Sequence, residues 1–276
     1  EERTTVEKLS AQSGEMTANG SAEIIYGKSV TGGLSAQNLS LPSLAHWLPA
    51  NSPVRNMRGV IDTVTADIAG QPNAPEINLF AAARGLSLER SVGGQSVRSL
   101  VYMPAVRLSG VTIREGQASF EDLAIALSSE PELGKAPYES LELHASGRLP
   151  FSYVHLTPED DAQVEAELHV PEQHLESVRG FLHGAGVDLA GSLSGDVRLT
   201  STVGVLKRIA SGGTVSQSDI SASGTLSLSA DYVRFLNMRT ALKDVNLQAQ
   251  ITEHRLELGP KRPDQPVARV AIRGSA

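Results

Sequence analysis

Several short stretches carry residue types that could do chemistry, and each would need a particular setting. Gly27-Lys28-Ser29 ends like a phosphate-binding loop, in which backbone N–H groups and a lysine cradle phosphate oxygens. Gly20 lies seven residues before Gly27 where that motif needs five, and no strand-to-helix step surrounds it, so nucleotide binding is not expected. Gly191-Ser192-Leu193-Ser194-Gly195 has the glycines of a nucleophile elbow, but leucine occupies the serine position. His169 and His174 stand five apart across Pro171, and His183 follows a helix-like run. Imidazoles at such positions could ligate zinc, although histidines solvated on a polar face are the plainer reading. Glu159-Asp160-Asp161 could touch calcium, yet reads most simply as a solvated turn. Trp47 could sit at the rim of a groove, or pack a short helix onto a sheet. No catalytic residue, metal site or cofactor is expected from these stretches.

The elements that would have to position any site follow a different pattern. Residues 220–232 read Ile-Ser-Ala-Ser-Gly-Thr-Leu-Ser-Leu-Ser-Ala-Asp-Tyr. Strand side chains alternate with period two, so Ile220, Ala222, Leu226, Leu228, Ala230 and Tyr232 share one face and the serines share the other. The same grammar puts Val60, Val64, Ala66 and Ile68 on one face, with Asp62 dissenting. Ile77, Leu79, Ala81 and Ala83 oppose Glu76, Asn78 and Arg84, with Phe80 on the polar side. Leu141 and Leu143 alternate with Glu142 and His144, and Val164, Ala166, Leu168 and Val170 with Glu165, Glu167 and His169. Leu193, Val197 and Leu199 resume the pattern, and Val245, Leu247, Ala249 and Ile251 continue it. Further strands are expected over 21–30, 32–41, 97–108, 111–120 and 123–128, around Leu256 and Leu258, and around Val270 and Ile272. A short helical turn is expected over 42–49. A helix opened by Pro171 has Leu175, Val178, Phe181 and Leu182 at helical spacing. The fold class is therefore all-β, with roughly fourteen strands and two short helices.

Composition limits what covers these strands. Hydrophobic residues are 40% of the chain and aromatics 4%, which is lean for a thick two-layer core and ample for one amphipathic sheet. The net charge of −7 is scattered, without a basic stripe, so nucleic acid is not an expected partner. No run approaches the eighteen apolar residues of a membrane-crossing helix, and no signal-peptide pattern is present. The absence of cysteine removes disulfide frameworks and thiolate metal sites. The chain opens on Glu-Glu-Arg and closes on Arg273-Gly274-Ser275-Ala276 after a strand-like run, the texture expected of an interior piece of a longer protein.

A loose internal echo is visible. Trp47-Leu48-Pro49 followed by Met57-Arg58-Gly59-Val60 parallels Phe181-Leu182-His183 followed by Leu193-Ser194-Gly195-Asp196-Val197. Organisation is expected as a polar lead-in over 1–20, a first β segment over 21–170, a helical crossover over 171–189 and a second β segment over 190–276. Gly147-Arg148-Leu149-Pro150-Phe151, then Val164 to Val170, Leu175 to Leu182, and Leu193 to Leu199 form an ordered series of short phrases. The same cadence runs from Leu41 to Ile68, with Pro72-Asn73-Ala74-Pro75-Glu76-Ile77 after it. In this order the phrases resemble the TamB family, the translocation and assembly module inner-membrane components within the AsmA-like group.

That resemblance implies an elongated, curled, mainly antiparallel sheet with an apolar trough, a "β-taco" or repeating β-groove. It implies a periplasmic location in a diderm bacterium and an upstream inner-membrane anchor that this chain lacks. It also implies an outer-membrane barrel partner of TamA type, met through regions outside this chain, and a part in phospholipid transport and outer-membrane biogenesis. The expected lining of such a trough is Val60, Val64, Ile68, Ile77, Leu79, Leu141, Leu143, Val164, Leu168, Val197, Leu199, Ile220, Leu226, Leu228, Val245, Leu247 and Ile251. Two other readings stay open at this level. One is a repetitive β-structured adhesin or stalk with a closed core; the other is a carbohydrate-active β-helix enzyme.

Overall fold

Strands with one apolar and one polar face, joined by short polar turns, pair most cheaply with their neighbours in the chain. The computed structural model pairs chain neighbours from β1 to β13. It describes residues 2–44, 57–92, 95–128, 140–153, 159–178, 182, 186–210, 216, 219–238, 240–253, 255–260, 267 and 269–272. The strands are β1 (Arg3–Ser13), β2 (Met16–Ile25), β3 (Ser29–Ser40), β4 (Met57–Gln71), β5 (Ala74–Val92), β6 (Gln95–Arg114) and β7 (Gln117–Ser128). They continue as β8 (Leu141–Leu149), β9 (Gln163–His174), β10 (Val187–Thr202), β11 (Ser221–Phe235), β12 (Thr240–Glu253), β13 (Arg255–Pro260) and β14 (Arg269–Ile272). All belong to one open antiparallel sheet in which β1 to β13 lie in chain order, and β14 pairs with β12. The right-handed β-helix is thereby excluded as a fold, since its rungs run parallel.

Helix is scarce. Leu41–Leu44 forms α1, Leu175–Val178 a single 3₁₀ turn, and Val203–Ala210 forms α2. Among the described residues no helix is long and apolar enough to cross a membrane. The described helices are too short to cover one face of a fourteen-stranded sheet, and the accessible surface agrees. At 17832 Å² it exceeds the roughly 11,500 Å² that a compact monomer of 29.2 kDa would expose by about half. Among the described residues no large side chain falls below 2% exposure.

The densest packing sits at one end of the strands. Leu141, Leu189, Ala230 and Val245 are buried there beneath Leu175 of the 3₁₀ turn, with Leu143, Leu182, Leu193, Leu228 and Leu247 packed around them. This is a local cap on the apolar face, not a second layer. Replacing Leu175 (6% exposed) by alanine should cost about 2–4 kcal/mol, read as a lowered urea midpoint.

Several expected boundaries move. Residues 1–20 are not an unpatterned lead-in: they form β1 and the first half of β2. β1 is an edge strand exposed along its whole length, so no buried face imposed alternation on its sequence. The stretch expected as a strand over 21–30 is broken at Tyr26–Lys28. The one expected over 111–120 is broken at Glu115–Gly116, where Gly116 takes φ +88° in the hairpin between β6 and β7. Pro171 does not open a helix. It lies inside β9, where the register with β10 shifts between Val170 and Gln173, and a bulge is a place where a strand tolerates a missing N–H. The crossover expected over 171–189 therefore begins and ends in strand. Helix α2, with Val203 and Val205 buried, was not expected, because a β-branched run reads as more strand. Trp47, Phe181 and His183 lie outside the described residues.

Candidate functional site

Directly paired residues on antiparallel strands project to the same side, so the pairing register traces rows that cross the sheet. One row runs from β1 to β12 without a polar side chain. It reads Ala11, Ala18, Ala36, Val64, Ala81, Leu108, Leu123, Ala145, Leu168, Val197, Gly224, Ile251. Twelve strands spaced at about 4.8 Å make it about 50 Å long. On one side of it run Gly20, Leu34, Ala66, Leu79 and Val111, and further on Gly147, Ala166, Leu199 and Ala222. On the other run Leu39, Ile61, Ala83, Val106, Ile125 and Leu143, then Val170, Gly195, Leu226 and Ala249. Ile68 and Ile77 pair in a fourth row with Gly32 and Ile113.

Most of this face is neither buried nor open. Val64, Leu79, Leu108, Leu123, Leu168, Leu199, Leu226 and Ile251 are half-buried, whereas Val197 at 8% is buried. Of the expected lining, Val64, Ile68, Ile77, Leu79, Val164, Leu168, Val197, Leu199, Leu226 and Ile251 belong to the uncapped stretch. Leu141, Leu143, Leu228, Val245 and Leu247 instead belong to the cluster under Leu175. Ile220 precedes β11 and takes no part in its pairing. Val60 is on the other side. It pairs with Ser40 and Arg84, and Ile61 takes the apolar place beside Ala83. The cause is an extra residue at Asp62, which shifts the register between Ile61 and Thr63 and inverts the alternation below it. Tyr232 is inverted in the same way past the irregularity at Ala190/Gly191: it pairs with Ala190, and its hydroxyl lies 3.2 Å from Oδ1 of buried Asp188, which Arg234 also holds at 2.8 Å.

The two glycines of the internal echo, Gly59 and Gly195, both sit at register shifts. A Cβ on Gly195 would stand 2.3 Å from the Thr225 carbonyl and 2.8 Å from Cδ2 of Leu226. The neighbouring strand and its leucine thus occupy the space a side chain would fill. Phe120 covers its partner Gly147 similarly, with a ring carbon 2.9 Å from the missing Cβ. Sequence reasoning put the small residue Ala81 on the apolar face but missed that it lines up with Ala145 across the sheet. Only the register aligns them.

The opposite face is charged and wet. Arg148 Nη2 lies 2.7 Å from Glu165 Oε2, Arg198 Nε 2.8 Å from Glu167 Oε1, and Arg107 Nη2 3.2 Å from Asp122 Oδ2. Exposed pairs of this kind contribute about 0–1 kcal/mol each; they fix which face meets water more than they stabilise it. His144 Nδ1 stands 2.9 Å from Asp122 Oδ1 and His169 Nδ1 2.6 Å from Asp196 Oδ1. The His144 hydrogen bond holds the Asp122 carboxyl below its usual range; burial opposes it and ranks next, and Arg107 adds to the lowering. A carboxyl depressed in the folded state stabilises above its unfolded value and loses that contribution as pH falls through its folded value. Asp122→Asn should therefore flatten the acid limb of a stability–pH curve below about pH 4, measured by urea midpoints.

The motifs with chemical potential fall in structural roles. Gly27-Lys28-Ser29 lies in and beside the β2–β3 hairpin turn, and Leu193 lies within β10. Asp160 binds Lys207 at 2.7 Å while its carbonyl accepts the Gly204 N–H at 2.8 Å, seating the start of α2. Among the described residues no group of three or more His, Cys, Asp or Glu is placed to hold a metal ion. The site that remains among the described residues is the apolar face itself, a surface of aligned rows. No family model matches the chain, and neither a curated protein nor a solved structure matches it.

Proposed function

We propose that the apolar face shields the acyl chains of phospholipid, and that the protein is a non-enzymatic segment of a lipid-carrying bridge. The observation that carries this reading is the unbroken apolar row from Ala11 to Ile251, flanked by further apolar rows and left half-covered by the polypeptide. An amphipathic sheet must bury its apolar face against helices, a second sheet or something that is not protein. The described helices are too short for the first, and the one open sheet provides no partner for the second. Exposing a sixteen-carbon tail to water costs about 13 kcal/mol at about 0.8 kcal/mol per methylene, and a lining of Ala, Val, Leu and Ile removes that cost without a polar trap to hold the tail. Bulges in β4, β9 and neighbouring strands increase twist and bend, which favours curling the rows into a trough.

In this reading the chain belongs to a TamB-type protein of the periplasm, with its inner-membrane anchor and its contact with an outer-membrane barrel supplied by regions beyond residues 1–276. Native mass spectrometry of gently extracted protein should find phospholipid bound, and solvent extraction should release it. A lipid-free preparation that also fails to take up phospholipid from vesicles would point instead to a stalk whose apolar face is closed by another protein surface.

A further inference from the structure

The charged face contains an arrangement that the lipid reading does not use. His144 and His169 are direct partners on β8 and β9, with ring centroids 6.5 Å apart. Each is clamped through Nδ1 by a carboxylate from the strand beyond it: Asp122 of β7 for His144, and Asp196 of β10 for His169. The series Asp122–His144–His169–Asp196 therefore has its carboxylates outside and its imidazoles inside; His169 pairs in register with both His144 and Asp196, whereas His144 pairs with Ala124 and takes its carboxylate from two residues along β7. The two nitrogens of an imidazole lie on roughly opposite sides of the ring, so a carboxylate on each Nδ1 leaves Nε2 as the nitrogen each ring can offer to a ligand. A carboxylate accepting the Nδ1–H selects the tautomer whose Nε2 lone pair is free to bind a cation. His144 Nε2 stands 3.9 Å from Glu142 Oε2, beyond hydrogen-bonding range and beside negative charge.

The surroundings favour a cation. These residues line an open bay of about 400 Å³, which also contains Glu121, Glu167 and Arg198. Five carboxylates (Glu121, Asp122, Glu142, Glu167 and Asp196) against Arg107 and Arg198 give the bay and its rim a net charge of −3 before the imidazoles are counted.

We propose that His144 and His169 form a bidentate site for a divalent transition-metal ion of the zinc, nickel or copper class, with Asp122 and Asp196 as positioning residues. Imidazole suits these metals, and calcium or magnesium would seek oxygen ligands instead. Because the described residues bring no three ligating side chains together, the protein supplies two ligands and water completes the coordination. The site clips β8 to β9 on the face away from the apolar rows.

Nickel(II) chloride titrated into the intact chain by isothermal calorimetry tests the site. One ion should bind per chain, and His144→Ala and His169→Ala should each weaken binding by more than about tenfold. Asp196→Asn should weaken it about 10–100-fold while leaving both ligands in place. Circular dichroism would verify that each variant keeps its strands, and His174→Ala, whose histidine lies outside the row, should bind like the parent. Cobalt(II) substitution gives a second readout, since its visible spectrum reports imidazole ligation and should vanish in the double variant. Binding unchanged in both single histidine variants, or lost equally in His174→Ala, would overturn the proposal.

Discussion

A Leu168→Arg variant should fold and lose its lipid. Leu168 lies mid-row between Ala145 and Val197, half-buried, with the apolar face open in front of it. A guanidinium there can reach solvent along its aliphatic stem, so the loss of stability should stay near 1–2 kcal/mol. Bound hydrocarbon has no such escape. Displacing two or three methylenes at about 0.8 kcal/mol each removes about 2 kcal/mol, more than a tenfold loss of affinity. Occupancy by native mass spectrometry and stability by urea unfolding should therefore part company. Thr225→Arg, placed on the charged face opposite Asp196, is the control and should leave occupancy unchanged. If Leu168→Arg simply fails to fold, the row is a sealed core; if it retains lipid, the row is not the binding surface.

Gly224→Ala should produce the largest loss of stability of any single methyl addition in the chain's central row. Gly224 has φ +148°, and a Cβ would stand 2.1 Å from the Asp196 carbonyl oxygen and 2.8 Å from the Val197 Cα. Both obstacles are backbone, which cannot rotate aside as a side-chain end can. Strain at such a φ and the forced separation of β10 from β11 together should cost about 3–5 kcal/mol, read as a shift in denaturation midpoint. Gly259→Ala is the matched control, since nothing lies within 4 Å of its missing Cβ, and it should change stability by less than about 1 kcal/mol. Equal effects at the two positions would mean that β10 and β11 do not approach as closely as described.

The period-two pattern was enough to read the all-β class, because alternation is imposed wherever one face is buried and the other wet. Leu168, Val197, Leu226 and Ile251 were legible for that reason. Alternation fails as a guide where the backbone adds a residue: the bulge at Asp62 moved Val60 to the charged face and put Ile61 in its place, and the irregularity near Gly191 did the same to Tyr232. The dissenting Asp62 marks the first insertion, but its residue type alone does not say that the backbone gains a residue there. β1 was illegible for the opposite reason, since an exposed edge strand has no side to hide. The His144–His169 pair could not be found from spacing, because its members are joined by register across a hairpin; the sequence-adjacent candidate, His174, lies outside the row. The alanines that make the central row continuous look like filler until strand pairing sets them end to end.

That β1 to β13 stack in the order of the chain has a consequence for how such a molecule changes size. Away from β12 and the cluster under Leu175, each strand pairs only with the two beside it, so excising or duplicating one such hairpin alters the span by about 10 Å and asks that the new neighbours match register. The contacts that form are close in sequence, which lets assembly proceed by zippering from any finished hairpin, without a distant partner to wait for. Such a chain works as a ruler with hairpin-sized graduations, fitted to a gap by counting.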